Sequence, residues 1–308
     1  MKILIIKKNF LLTIFFFLTL LFIGTTIYYF SASKQKIIET INPISMNKDI
    51  KIDLNNDGKD EIIQKIVGEN KVDFNIMFLN NDQYLSNEID DNILFTYNNH
   101  WNPNFIINDI SRDNIPEIMI QGFKNNKSAF YLFTWKDKKL SKIYSSNKNI
   151  FGILDSKNSK TPQCYLISSS EGISSFNSFM LINDTILDTT KENISIPSLD
   201  SINKFINILE VPYILDEIPD IFSNSINKKQ LSLLWNLDKD SYSYAFQNAF
   251  FYDYEWNDSG EVTALKWKIS FEKNKLKGLE SDKDELVLNL DLKKENNYFK
   301  IISIEDSK

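Results

Sequence analysis

One cysteine and one histidine occur in 308 residues, and each scarcity excludes something. Cys164 has no partner for an intramolecular disulfide, so an exported chain of this composition rests on packing, or on a bound ion, for its stability. Its apolar setting, Cys164-Tyr165-Leu166-Ile167, predicts a buried thiol. With no Cys near residue 30, a lipoprotein anchor is excluded. Positive charge is not in surplus either. The 35 Lys and Arg against 41 Asp and Glu leave −6, the wrong sign for neutralising nucleic-acid phosphates. No G-x-S-x-G, H-E-x-x-H or glycine-rich phosphate loop is present. The lone histidine lies in Asn98-Asn99-His100-Trp101, a polar loop that predicts a surface residue. The expectation is a non-enzyme. A carboxylate-dependent hydrolase is the remaining enzymatic alternative, because Asp and Glu are plentiful, although no spacing places two of them across a groove.

The N-terminus reads as a targeting segment. Lys2, Lys7 and Lys8 precede an uncharged apolar stretch, Phe10 to Phe30. Such a stretch matches the roughly 20 residues needed to cross a hydrocarbon core of ~30 Å as a helix and exceeds the usual signal-peptide core of about 7–15. Residues 1–33 are therefore expected to be a signal-anchor, a single transmembrane helix with its N-terminus cytoplasmic and everything after Ser33 extracytoplasmic. Tyr28 and Tyr29 sit where interfacial aromatics gather. The small residues Ser31-Ala32-Ser33 keep open the alternative of cleavage and secretion. Residues 34–47 read as a linker.

The most informative feature is a ten-residue pattern that recurs. Asp53-Leu54-Asn55-Asn56-Asp57-Gly58-Lys59-Asp60-Glu61-Ile62 is the clearest copy. Asp109-Ile110-Ser111-Arg112-Asp113-Asn114-Ile115-Pro116-Glu117-Ile118 is the second, and a worn third runs from Asp155 to Cys164. Calcium takes about six to eight hard oxygens, from carboxylates, carbonyls and water. Alternating positions of a tight loop point inward, so Asp53, Asn55, Asp57 and Glu61 would supply side-chain oxygens, and Lys59 its backbone carbonyl. Gly58 permits the left-handed turn. The second copy keeps Asp109, Asp113 and Glu117, with Ser111 as a weaker ligand and Asn114 in place of the glycine. Arg112 could compete with an ion there. The third carries Lys157 and Lys160 among its ligand positions and is not expected to bind metal. An EF-hand would need a Glu at position twelve and a helix after it. Position twelve is Gln64, and a strand-like run follows. An ion-free Asp/Asn turn is the bland alternative, although three inward-facing acids repel one another without a cation.

Each copy sits in the same larger unit: a strand enters the loop, a second leaves it, and two more follow around a polar turn. The second strands are Glu61 to Val67, Glu117 to Gln121 and Cys164 to Ser168. The later turns are Asn80-Asn81-Asp82, Lys136-Asp137-Lys138 and Asn183-Asp184, which begin 27, 27 and 28 residues after the first loop Asp. Four strands in roughly fifty residues is the size of a propeller blade. The loop and its placement resemble the FG-GAP / VCBS repeat family, which includes the integrin α-chain propeller and carries D-x-[DN]-x-D-G-x-x-[DE] between the first two strands of a blade. The resemblance covers about residues 48–192. It implies calcium in such loops and a role in surface recognition or scaffolding, and it implies no reaction. Three units do not close a propeller, so an incomplete propeller or an open stack is expected.

From residue 193 to 308 the pattern changes to an α+β domain. Ser198 and Asp200 are candidate caps for a helix with an apolar face at Ile202, Phe205, Ile206 and Leu209, and Gln230 to Trp235 reads as a second helix. An antiparallel meander follows, Tyr244 to Glu255, Val262 to Phe271, Glu285 to Leu292 and Tyr298 to Ile304. The order of elements faintly resembles the nuclear-transport-factor-2-like group of helix-plus-curved-sheet domains. The dense aromatics from Phe246 to Trp267 read as core, or alternatively as a groove for a peptide or glycan. Two expectations stand side by side. One is a membrane-anchored binding or scaffolding protein with calcium-binding β-repeat loops, displayed to a protein or glycan. The other is a structural component of a cell-envelope complex.

Overall fold

Runs of Val, Ile, Phe and Tyr between Asn- and Asp-rich turns become strands, and the computed structural model is mainly β, with several antiparallel sheets of which none closes on itself. The structure describes residues 18–25, 48–155, 161–169, 176–193, 195–213, 215, 217–277 and 282–307. Residues 1–39 and 40–308 form separate units. In the first, residues 18–25 are a short helix. No helix among the described residues is long and apolar enough to cross a membrane, and most of Phe10–Phe30, on which the expected span rests, lies outside the described residues.

The second unit holds three sheets. The first contains β1 (Ile50–Ile52), β2 (Glu61–Val67), β3 (Lys71–Met77) and β4 (Asp82–Tyr84) in sequence order, with β5 (Phe95–Thr96) also pairing with β3. The second is a four-stranded meander of β6 (Asn104–Asn108), β7 (Glu117–Lys124), β8 (Lys127–Lys136) and β9 (Lys139–Ser146). The third joins β10 (Ile150–Leu154), β11 (Gln163–Ile167), β12 (Phe176–Ile182) and β13 (Thr185–Asp188) to β14 (Tyr242–Trp256), β15 (Val262–Lys275), β16 (Asp284–Glu295) and β17 (Tyr298–Asp306). The join is a parallel pairing, Ile150↔Ala249 to Ile153↔Tyr252. A parallel pair needs a long crossover, and here it carries α1 (Leu199–Glu210) and α2 (Lys228–Trp235). The eight-stranded sheet thus runs across residue 192, where the sequence suggests a boundary.

The burial pattern explains the strand sequences. One core forms between the first two sheets and takes Phe105, Ile107, Ile118, Ile120, Tyr131 and Phe133 from the second. Another forms between the second and third sheets and takes Ile106, Met119, Phe130 and Leu132. Successive residues of a strand face opposite sides, so β7 and β8 are apolar on both faces and read as continuous rather than alternating runs. The third sheet does the same: Phe151, Phe250 and Tyr252 face the second sheet, while Phe251, Trp267 and Phe271 join the apolar face of α1 in a third core. The aromatics of β14 and β15 are therefore largely core. Each fully buried Phe contributes about 1.5–3 kcal/mol of burial.

Only eight glycines are available to this chain, and Asn and Asp supply the left-handed turns instead. Asn125-Asn126, Asp137-Lys138, Asn183-Asp184 and Asn296-Asn297 have positive φ at both residues. That is the mirror-image two-residue turn whose twist suits a hairpin. The helix caps differ from expectation. Ser198 stands at the N-cap of α1 with φ 68, and its side chain makes no cap hydrogen bond. Its hydroxyl accepts from the buried Trp267 Nε1 at 2.9 Å, and burial of an indole N–H without a partner is the larger cost. Asp200 lies within the first turn and pairs with Lys204.

Candidate metal-binding loops

The first two loop copies fold onto one hydrogen-bond ladder. In the first, Asp53 Oδ1 accepts from Asp57 N at 3.2 Å and Asp53 Oδ2 from Gly58 N at 2.9 Å. Asp57 Oδ1 accepts from Lys59 N at 2.9 Å. Glu61, at the head of β2, accepts from Leu54 N at 2.7 Å and from Asn55 Nδ2 at 3.1 Å. In the second, Asp109 accepts from Asp113 N at 3.2 Å and Asn114 N at 3.1 Å. Asp113 Oδ1 accepts from Ile115 N at 2.8 Å, and Glu117 Oε2 from Ile110 N at 2.8 Å. Positions one, five and nine share backbone N–H partners in both copies: one accepts from five and six, five from seven, and nine from two. Positions four and six are left-handed in both: Asn56 and Gly58 with φ 58 and 84, Arg112 and Asn114 with φ 65 and 72.

Electrostatics concentrate on position nine. Glu61 is buried, and its carboxyl is raised by that burial, with Asp53 and Asp57 adding to the rise. Glu117 is 1% exposed and pushed up to about 8, first by burial and further by Asp109 and Asp113, against hydrogen bonds from Ser111 and Ile110. Its Oε1 has no partner among the described residues. Three acids around one loop with a buried, unsatisfied carboxylate oxygen are the electrostatics a cation relieves. The donor set is all hard oxygen, which fits calcium rather than a softer metal. Among the described residues, however, no group of three or more His, Cys, Asp or Glu converges closely enough to hold an ion, because the carboxylates are turned onto backbone N–H groups. Each such oxygen keeps further acceptor capacity.

The third copy departs from the ladder at its first residue. Asp155 has φ 58, its N–H is donated to the buried Asp253 at 2.7 Å, and its carbonyl accepts from Arg112 Nη2 at 3.2 Å. Residues 156–160 lie outside the described set. Arg112, a potential competitor within its own loop, thus reaches the next unit.

A second polar constellation is not apparent from the sequence. His100 is 7% exposed, not a surface residue. Its Nε2 lies 3.0 Å from Glu272 Oε2, and Glu272 also pairs with Lys283 at 3.2 Å. Asn102 donates to Glu285 at 2.8 Å and Asn104 to Asn248 at 2.7 Å. Three alternate residues, from the turn at His100 to the start of β6, therefore clasp β14, β15 and β16. Around it Glu285 is raised and Lys268 lowered, both by burial. The signal was the period-two spacing of His100, Asn102 and Asn104, which is easily read as a polar loop.

No family model, no curated protein and no solved structure matches this chain.

Proposed function

We propose that the chain is a membrane-anchored extracytoplasmic binding or scaffolding protein whose β-repeat loops take calcium, and that it catalyses no reaction. The three successive four-stranded arrangements are read as FG-GAP/VCBS-like blade units in an open stack. In the third arrangement β10 also pairs in parallel with β14, which extends it into the eight-stranded sheet. The observation that carries the reading is the shared ladder of the Asp53–Glu61 and Asp109–Glu117 loops, in which dissimilar residues reproduce one backbone path and leave Glu117 Oε1 unsatisfied. Asp53, Asn55, Asp57, Glu61 and the Lys59 carbonyl would hold the first ion; Asp109, Ser111, Asp113 and Glu117 the second. Bound calcium would supply positive charge that fixes the loops, and so the strands they join. The membrane anchor rests on Lys2, Lys7, Lys8 and the uncharged stretch Phe10 to Phe30.

Thermal unfolding of the full-length protein tests this. At calcium about 100 times its Kd, linkage contributes about 2.7 kcal/mol, which raises Tm on the order of 5–10 °C for a domain of this size. Equal Tm in millimolar calcium and in chelator contradicts a structural ion.

A further inference from the structure

Where the third sheet changes length it leaves a ledge. β14 begins at Tyr242, but β10 starts opposite Ala249 and pairs with β11 from Ile150↔Ile167. Residues 242–248 of β14 therefore run on past the ends of β10 and β11, paired on that stretch with β15 alone. A β-bulge interrupts the pairing with β15 between Phe246 and Asn248, and bulges commonly re-aim side chains beside sites. α1 crosses above. Between them lies a recess of about 300 Å³, at the lower end of the range of small-ligand sites, about 300–1,000 Å³.

The walls of this recess have a definite chemistry. Asn203, Asn207 and Glu210 lie along one face of α1 at helical spacing, Ser168 and Ser169 follow β11, and Phe246 rises from the ledge. The floor is apolar, formed by Ile150, Ile167 and their neighbours. Glu210 is held in place: its Oε1 accepts from the unpaired edge N–H of Phe246 at 2.8 Å. Among the described residues, the Asn203 and Asn207 amides have no protein partner. Among the described residues no cation lines the recess, and none of them would neutralise a phosphate or carboxylate. The Ser169 hydroxyl already accepts from Asn149 at 2.8 Å, so the two amides and the Glu210 carboxylate, beside the half-buried Phe246 ring, are what offer donors and acceptors to hydroxyl groups and an apolar surface to C–H groups.

We propose that this recess binds a neutral polyhydroxylated ligand, a pyranose sugar. Its hydroxyls would engage Asn203, Asn207 and Glu210, and its C–H face would lie on Phe246. The inference deepens the binding reading above by naming a ligand class, and it uses none of the loop residues.

The test is titration of the full-length protein with glucose, N-acetylglucosamine and their β-linked disaccharides, read by saturation-transfer NMR and calorimetry. The expected result is binding by at least one of these sugars. Asn207→Ala should weaken it about tenfold, the loss of roughly one good hydrogen bond, and Phe246→Leu, which keeps apolar volume without the ring, should weaken it similarly. Asn207→Ala should melt as the parent does, and Phe246→Leu, which gives up the edge-on contact with Phe271, should melt slightly lower while still folding. No binding by any of the four at millimolar concentration, or binding unchanged in both variants, overturns the proposal. Calcium titration reads the loops and sugar titration the recess, so the two readings fail separately.

Discussion

Glu117 carries the sharpest prediction at the scale of a single residue. A carboxyl at about 8 in the folded chain and near its ordinary value when unfolded keeps a proton on folding that the unfolded chain releases. Stability then falls as pH rises from about 4.5 to about 8 and levels off above. In chelator, unfolding free energy should drop across that window by on the order of a few kcal/mol, and Glu117→Gln should flatten the slope. An identical slope in the variant, measured by urea unfolding at pH 5 and pH 8, would place the effect elsewhere. The residue's type and position were legible from the loop pattern. Its burial was not, since that depends on the sheet packed against it. His100 shows the same limit: its segment is rich in Asn, and only the fold brings Glu272 to its ring.

Among the elements, β2, β7, β8 and the long strands β14 to β17 could be read from their sequences, since runs of β-branched and aromatic residues between Asn-rich turns leave few alternatives. What escaped was the pairing of β10 with β14. Parallel partners far apart in sequence leave no local signal, and both strands are apolar on both faces whichever neighbour they take. That junction has a tight point at Gly152, paired with Phe251. A Cβ built there would lie 2.0 Å from the Phe251 ring, and Phe251 stacks on Trp267 at 4.3 Å. Gly152→Ala should destabilise by about 1–3 kcal/mol or more through overpacking, read as a lower urea midpoint. A neutral result would mean that the Phe251 ring moves freely and that the junction is loosely packed.

Across residues 40–308, two kinds of joint hold the sheets. Apolar cores lie between successive layers, and the polar clasp of His100, Asn102 and Asn104 fixes their register. Cutting the clasp with His100→Ala leaves the partly buried Glu272 with one fewer partner and should cost about 1–3 kcal/mol. The expected sign is a lower Tm with calcium affinity unchanged, because the loops lie at other strand ends. A parallel loss of calcium affinity would instead tie loops and clasp into one cooperative unit.

The two copies of one loop are proposed to take the same ion. Isothermal titration of the full-length protein with calcium, beside Asp57→Ala and Asp113→Ala, tests it most directly. Two sites are expected in the parent, with one lost in each variant. No binding at millimolar calcium, or binding indifferent to both substitutions, would contradict it and leave the ladder as a metal-free turn.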